Sequence, residues 1–218
     1  MGTQWARQES KKNELADIVE SGVLWTRVHP QVLTWAGVGI VAAIIFGAAM
    51  INRSLTTKEE TWSRFGIAQS YAYAGQTATA LDQIKTLNEQ YPGSPAAGFG
   101  TLLSADIFFQ QKNYEEALKT YQSIAQDPAA QKAVLPLARA GITLTLEAKG
   151  DSKAAAESAQ SYLDQHQDHF LAPQVHAALA RCLAAAGDKD KSRATFERIE
   201  FLYPNTYWAD WAKSQKAL

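Results

Sequence analysis

The sequence predicts an all-α protein with one membrane-spanning helix followed by a stack of helical hairpins. Three observations support this prediction. An uncharged run of twenty residues, 32–51, lies near the start of the chain. No useful length of sequence after it alternates apolar and polar residues as a strand would. Small and large residues instead recur every 37 or 38 positions, which is typical of repeated helical hairpins.

The composition excludes several classes of protein. The 218 residues carry a formal net charge of −1, and basic and acidic residues balance on both sides of the apolar run. Binding to nucleic acid through phosphate neutralisation needs a basic stripe, which this sequence lacks. A single cysteine, Cys182, excludes an intramolecular disulfide. Because Cys182 lies among alanines and leucines, we expect a small buried apolar residue there.

The run from Val32 to Ile51 has the length and composition of a membrane span. Twenty residues rising about 1.5 Å each cover about 30 Å, the thickness of a bilayer's hydrocarbon core. A cleaved signal peptide is the alternative, but its apolar stretch is about 7–15 residues long and follows a short basic start. Here 31 residues with four acidic side chains come first. The sequence therefore predicts an uncleaved transmembrane helix over 32–51.

The residues that flank the span predict a further helix but no orientation. Apolar residues recur at helical spacing between Asn13 and Thr26, so residues 1–31 are expected to hold an amphipathic helix along the membrane or against a partner. Three basic residues lie close to each end of the span, and the positive-inside rule therefore gives a tie.

A stripe of small residues crosses the predicted span. Gly39, Ala43 and Gly47 are spaced four apart, which places them on one face of the helix. Small residues at this spacing let two membrane helices approach closely, so the stripe predicts packing against another membrane helix. Small residues are also common in membrane helices in general.

The remaining sequence predicts helices separated by short breaks. Residues 52–57 are expected to form a linker, and Thr57 with Glu60 has the capping-box spacing that starts a helix. Turn-forming residues then divide the chain, and they are Gly75, Pro92-Gly93-Ser94-Pro95, Asn113, Pro128, Gly150-Asp151, Gly187-Asp188 and Pro204.

An internal repeat organises these helices. Small residues recur at Ala80, Ala117, Ala155 and Ser192, and a second small set lies twelve positions before each, at Ala68, Ala105, Thr143 and Ala180. Small residues of this kind mark where the two helices of a hairpin cross closely. Pro92 and Pro204 are expected to end second helices, and Pro136 and Pro173 suit the first turn of the following hairpins.

This pattern resembles the tetratricopeptide repeat over residues 57–205. The best matching units read Gly75…Ala80…Ile84…Leu87…Tyr91-Pro92 and Gly187…Ser192…Phe196…Ile199…Tyr203-Pro204. The third unit departs from the family, with Ala159 in place of the second aromatic residue. The resemblance implies a right-handed solenoid of about four hairpins over 58–205, closed by a cap helix over 206–218.

The resemblance also implies a concave, protein-binding groove lined by the first helix of each hairpin. Transferring the family's register places ten residues on or near this wall, namely Trp62, Phe65, Tyr73, Phe99, Leu102, Asp106, Phe109, Gln110, Leu144 and Arg181. The alternative for each is packing between repeats.

The layout of a short amphipathic start, one span and a repeat domain is similar to that of the YfgM-type membrane-anchored repeat proteins, ancillary subunits of the bacterial Sec translocon. This resemblance implies a bacterial inner-membrane protein with its repeats in the periplasm. The implied partners are the translocon, chaperones and emerging chains. A structural subunit of a larger membrane complex is the alternative function.

The sequence gives little support to an enzyme. It contains neither of the glycine-rich phosphate-binding motifs, and no cofactor is predicted. His166 and His169, with Asp164 and Asp168, form the one group that suggests a metal site. These residues lie in a polar stretch at a helix end, where a solvated loop is the simpler interpretation. We therefore predict a protein that binds other proteins without catalysing a reaction.

Overall fold

A computed structural model describes residues 20, 28, 30–127 and 132–216. The amphipathic helix predicted between Asn13 and Thr26 lies, apart from Glu20, outside the described residues, and so does the break predicted at Pro128. The chain divides into two compact units, Met1–Thr57 and Lys58–Leu218.

The part of the chain that the structure describes contains nine α-helices and no strand. They are α1 (Pro30–Tyr73), α2 (Thr77–Gln90), α3 (Pro95–Gln110), α4 (Tyr114–Gln126), α5 (Leu135–Lys149), α6 (Ser152–His166), α7 (Ala172–Ala185), α8 (Lys189–Leu202) and α9 (Tyr207–Lys216). The all-α prediction is confirmed.

Helix α1 corrects the prediction of a linker over 52–57. One uninterrupted helix runs from Pro30 to Tyr73, and Thr57 does not cap a new helix. Its hydroxyl donates instead to the carbonyl oxygen of Arg53 at 2.8 Å, and the Thr56 hydroxyl donates to the carbonyl of Asn52 at 2.6 Å. Because residues 52–57 contain neither glycine nor proline, threonines bonded in this way continue the helix.

Helices pair into hairpins in the order that the repeat predicts. We call the end of α1 together with α3, α5 and α7 the A helices, and α2, α4, α6 and α8 the B helices. Each A helix packs against the B helix that follows it, and α3, α5, α7 and α9 also pack on one another. Among the described residues, no B helix packs directly on another B helix.

The small residues of the repeat lie where the hairpin helices cross. All eight are at most 3% exposed. Ser192 and Thr143 replace alanine without leaving an unpaired hydroxyl at the crossing. Ser192 Oγ donates to the carbonyl oxygen of Ala180 at 2.8 Å, and Thr143 Oγ1 lies 2.8 Å from Ser158 Oγ. Close crossing of two helices requires small side chains, or polar side chains that are hydrogen-bonded, and these eight residues meet that requirement. The predicted repeat register is therefore confirmed.

The turn between A and B helices repeats with the same backbone geometry. Gly75, Gly150 and Gly187 all have φ between 74° and 87°, and Lys112 takes the equivalent position with φ 60°. The next residue is the N-cap of the B helix. Its side chain accepts a hydrogen bond from a backbone N–H in α4, α6 and α8, where it is Asn113, Asp151 or Asp188. In α2 it is Gln76, whose side chain makes no such bond.

Prolines and Cys182 lie where the sequence predicts them. Pro136 and Pro173 occupy the first turns of α5 and α7, and α2 and α8 end before Pro92 and Pro204. Cys182 is 2% exposed, and burial raises the pKa of its thiol to about 11. It is therefore a buried apolar residue, as its neighbours indicated.

Candidate protein-binding groove

The ten residues assigned to the groove all lie on A helices, but they differ in exposure. Trp62, Tyr73, Gln110 and Arg181 are exposed. Phe65, Phe99, Asp106, Phe109 and Leu144 are half-buried. Leu102 is only 8% exposed and belongs to the apolar core formed by α3, α4 and the start of α5. It contributes to packing between hairpins and leaves little surface for a partner.

Three aromatic rings form a cluster at the start of the wall. The ring centroid of Trp62 lies 5.8 Å from that of Phe65 and 5.6 Å from that of Phe99, and the two phenylalanines are 6.3 Å apart. Phe65 also packs against the core residues Leu87 and Ala96. Trp62 remains 42% exposed. The cluster therefore holds a large, partly exposed indole on rings that are themselves anchored in the core.

Aromatic residues continue the wall along α3. Phe109 lies next to Tyr114 with ring centroids 5.6 Å apart, and both Phe99 and Phe109 pack on the core that contains Leu102. Tyr73 and Gln110 are the last residues of α1 and α3 and are exposed there. This half of the wall combines apolar rings at its base with accessible side chains at its edges.

Asp106 is held inside its own hairpin. Its carboxylate Oδ1 accepts a hydrogen bond from the hydroxyl of Tyr121 on α4. Burial raises the pKa of Asp106, and the hydrogen bond from Tyr121 opposes that rise. Burial also raises the pKa of Tyr121, with the Asp106 charge adding to the effect. Asp106 therefore positions α4 against α3, which is a structural role that its place on the wall did not predict.

Arg181 links successive A helices. Its guanidinium makes two hydrogen bonds to the Glu147 carboxylate on α5, at 2.6 and 2.9 Å. The same group lies 5.5 Å from the ring centroid of Trp211 on α9. The hydrogen bonds to Glu147 raise the pKa of Arg181. These contacts join α5, α7 and α9. In the second half of the wall, the polar and aromatic side chains are therefore already engaged with one another.

Glu147 and Trp211 contact Arg181 of the predicted wall, and neither was predicted from the sequence. Trp211 lies 37 positions after Gln174, and Leu137, Phe99 and Trp62 precede Gln174 at intervals of 37 or 38 positions. Extending the register by one more unit, into the predicted cap helix, would have found it. Glu147 had no comparable signal because its role depends on the arginine of the next hairpin.

The polar stretch around His166 and His169 is engaged in local contacts. His169 Nδ1 lies 2.7 Å from the Tyr162 hydroxyl and 3.3 Å from the backbone nitrogen of Leu171, which can only donate. The His166 ring packs against Tyr162 with centroids 5.2 Å apart. Among the described residues, no group of three or more His, Cys, Asp or Glu is placed to hold a metal ion.

Comparisons with solved structures show the fold. The apo form of RapI superposes with a TM-score of 0.64 at 12% identity, over 72% of this chain and 46% of RapI. A tetratricopeptide repeat protein from Parabacteroides merdae gives a TM-score of 0.59 at 12% identity, over 70% of this chain and 57% of that protein. This chain thus spans only about half the length of either protein.

YrrB is similar over more of its own length. Its structure is described as a tetratricopeptide repeat protein with an unusual peptide-binding site, and it gives a TM-score of 0.51 at 15% identity. The superposition covers 71% of this chain and 76% of YrrB. At these identities the likeness extends to the fold alone.

Sequence comparison identifies the family. No curated protein matches the chain. The family model of the tetratricopeptide repeat, however, matches residues 65–133 and 144–205, which together are more than half of the sequence. The two matched segments include the B helices α2, α4, α6 and α8 and at least part of each A helix. The chain therefore belongs to the tetratricopeptide repeat family.

Proposed function

We propose that this chain is a membrane-anchored scaffold that binds other proteins through the A-helix wall of its first two hairpins. Stacked hairpins of this kind present extended surfaces for protein partners. The observation that carries the proposal is the cluster of Trp62, Phe65 and Phe99. Partly exposed aromatic residues held in a fixed arrangement are the side chains that most often supply binding energy at protein interfaces.

The two halves of the wall differ in what they offer a partner. In the second half, Arg181 already contacts both Glu147 and Trp211. In the first half, Trp62 and Tyr73 keep 42% and 83% of their surface exposed. We therefore assign the partner's apolar side chains to the first half, where an indole and a phenol give a large contact area at low cost in side-chain entropy.

A photocrosslinking experiment tests this assignment. A photoreactive phenylalanine analogue replaces Trp62 in the full chain in cells, and a matched variant carries it at Phe201, an exposed residue on the B helix α8. We expect protein adducts from position 62 that are absent from position 201. Equal adducts from both positions, or none from position 62, would contradict binding at the wall.

We further propose that the protein resides in the bacterial inner membrane with its repeats in the periplasm, near protein translocation or envelope assembly. Two observations support this. Helix α1 is long and apolar enough to cross a membrane, and its apolar side chains, such as Ile44 and Phe46, are exposed. The layout of the chain also resembles the YfgM-type translocon subunits. Translocon subunits, periplasmic chaperones or emerging chains are thus the adducts expected at position 62.

Thiol labelling tests the orientation. We replace Lys189, an exposed residue at the start of α8, by cysteine and treat cells with a membrane-impermeant thiol reagent after opening the outer envelope. Labelling before the inner membrane is broken is expected, and protection until that point would place the repeats in the cytoplasm. The buried Cys182 is an internal control, because it should react only after the protein is unfolded.

The alternative is a structural subunit of a larger membrane complex. It is favoured by the small-residue stripe of α1, since a Cβ atom added at Gly39 or Gly47 would meet no described atom within 4 Å. In this case a second membrane helix packs against Gly39, Ala43 and Gly47. Replacing Gly39 and Gly47 by leucine would then dissociate the complex. The same substitutions at Val38 and Val41 serve as the control, and an intact complex in both variants would exclude this role for the stripe.

A further inference from the structure

A groove on the side of the B helices is a second candidate binding surface, separate from the wall. It runs between α6 and α8, and α7 forms its floor. Two adjoining cavities of about 390 and 430 Å³ make up the groove, and they share the side chains of Gln160, Leu179, Thr195 and Arg198. It exists because the A helices pack on one another while α6 and α8 do not meet.

A buried histidine faces the first cavity with one ring nitrogen unpartnered. His176 is 3% exposed, and its Nδ1 lies 3.1 Å from the carbonyl oxygen of Ala172 and 3.0 Å from the Tyr203 hydroxyl. A carbonyl can only accept, so Nδ1 carries the proton and Nε2 is an acceptor. No hydrogen bond from a described residue reaches Nε2. Burial lowers the pKa of His176, which favours this neutral form.

Carboxylates give this cavity a negative character. Asp164 and Asp168 line it, and Arg198 is its one basic residue. Among the described residues, the Asp164 carboxylate is bonded only to the Gln160 amide, at 2.8 Å, and no cation pairs with Asp168. The second cavity is more apolar, with Ala156, Leu183 and Ala194 among its lining residues. Lys191 also lines it, but its ammonium group is paired with the Asp188 carboxylate at 2.6 Å. The groove thus joins a set of acceptors to an apolar channel.

We propose that this groove binds a segment of a partner protein in which a lysine or arginine side chain is followed by apolar side chains. The cationic group enters the first cavity, where it donates to Asp164, Asp168 and His176 Nε2. The apolar side chains lie along Leu179 and Leu183. Arg198, between the two cavities, donates to backbone carbonyl oxygens of the segment, which orients it.

The corresponding groove in the first two hairpins lacks these features. Between α2 and α4, a cavity of about 450 Å³ is lined by residues 75 positions earlier in the repeat. Lys85 replaces Gln160 there, and Thr101 replaces His176. The Thr101 hydroxyl already accepts from the Asn88 amide and donates to the Ala97 carbonyl. Glu89 is the one carboxylate that lines this cavity, and it shares the cavity with Lys85, whereas Asp164 and Asp168 both line the other groove. This groove is therefore expected to bind a cation more weakly, although the buried Asn88 Oδ1 has no hydrogen-bond partner among the described residues.

Peptide binding to the full chain in detergent tests the proposal. The probe is a fluorescein-labelled peptide with the sequence Gly-Ala-Lys-Leu-Leu-Ala-Gly, and the comparison peptide has methionine in place of lysine. Fluorescence anisotropy should give an affinity for the lysine peptide about tenfold higher, because charge-assisted hydrogen bonds are available only to the ammonium group. Equal affinities, or no binding of either peptide, would overturn the proposal.

Three variants locate the binding site. The double variant Asp164→Asn with Asp168→Asn is expected to lose the preference for lysine. Glu89→Gln, at the position equivalent to Asp164 in the first groove, should keep it, and retention by the double variant would refute the proposed site. Trp62→Ala separates this proposal from the function of the wall, since it should weaken partner binding there and leave the peptide affinity unchanged. A loss of peptide binding in Trp62→Ala would place the peptide on the wall instead.

Discussion

Gly141 shows how closely single residues approach between hairpins. A Cβ atom added to it would lie 2.5 Å from Cε1 of Tyr121, whose ring is buried. We expect Gly141→Ala to lower the free energy of unfolding by about 1–3 kcal/mol, because the ring must move in a packed core. Urea denaturation followed by circular dichroism measures the change. Gly66→Ala is the control, since a Cβ atom added there would meet no described atom outside its own helix backbone within 4 Å, and alanine should stabilise the helix by about 0.5–1 kcal/mol. A stabilised Gly141→Ala variant would contradict the contact.

The raised pKa of the buried Asp106 carboxyl group predicts that the stability of the fold depends on pH. Burial raises the pKa of Asp106 in the folded state above its ordinary value of 3.8. Its contribution to the free energy of unfolding is therefore fully present below pH 3.8 and is lost as the pH rises through the folded-state pKa. Asparagine at this position still accepts from Tyr121 but cannot ionise. The stability of Asp106→Asn relative to the unmodified protein should therefore increase from about pH 3.5 to about pH 7. Urea denaturation at several pH values measures this difference.

Asp188→Asn provides a control of opposite sign. The hydrogen bonds from the Lys191 side chain and backbone nitrogen lower the pKa of Asp188, so its contribution is present above the ordinary pKa and is lost as the pH falls. The relative stability of Asp188→Asn should therefore decrease as the pH rises. Two profiles that change in the same direction would contradict one of the two assignments, and two flat profiles would contradict both.

At the residue scale, the sequence predicted positions that repeat and missed those that depend on one neighbour. Ala68 and Ala80 have equivalents in all four hairpins, and that recurrence identified them as crossing points. The contact between Gly141 and Tyr121 and the pair Asp106–Tyr121 occur once. Gly66 is the equivalent of Gly141 in the first hairpin, and a Cβ atom there would meet no described atom within 4 Å. Their roles follow from side chains that meet only after the hairpins have stacked, and no spacing within the sequence reports such a contact.

At the scale of helices, the N-caps differ between otherwise equivalent hairpins. Asn113, Asp151 and Asp188 each accept a hydrogen bond from the first turn of a B helix, whereas Gln76 makes no side-chain bond before α2. Replacing Gln76 by aspartate should stabilise the fold by about 1 kcal/mol, because a shorter carboxylate reaches the N–H groups that α2 leaves free. Urea denaturation of the variant measures the gain.

The reverse change is the control for that prediction. Asp151→Gln places at α6 the residue that α2 already has, and it should cost a similar amount. If neither variant changes the free energy of unfolding, water hydrogen-bonds to the free backbone N–H groups in the first turn of the B helices as well as a side chain does. A gain for Gln76→Asp with a loss for Asp151→Gln would show that the first hairpin lacks a cap that the others possess.

Helix boundaries were predictable where a residue such as glycine breaks the helical backbone. They were not predictable where the residues are compatible with both the start and the interior of a helix. Glycines at positive φ, such as Gly75 and Gly150, separate A from B helices as predicted. Lys112 adopts the same geometry without a glycine, and the break there was recognised from Asn113 alone. The capping-box spacing of Thr57 and Glu60 indicated a helix start that does not exist. Nothing between Asn52 and Thr57 ends the preceding helix, so the pattern lies inside α1.

At the scale of the whole molecule, the proposed membrane role of α1 leads to a prediction that does not depend on what the repeats bind. Ile44 and Ile45 lie in the middle of the apolar run, and both are 63% exposed. Replacing both by lysine should move the chain from the membrane pellet to the soluble fraction after ultracentrifugation of cell lysates. Each lysine at the centre of a span costs about 2.5–3.5 kcal/mol of insertion free energy.

The control for this prediction places the same charge elsewhere. Gln90→Lys with Gln122→Lys adds two lysines at exposed positions of the repeats and should leave the chain in the pellet. The released Ile44→Lys, Ile45→Lys variant should keep the helical circular dichroism of the repeats, because the described core clusters draw on residues from Phe65 to Ala212. If that variant stays in the pellet, attachment does not depend on the apolar run, and the scaffold would be held at the membrane by a partner bound to its repeats.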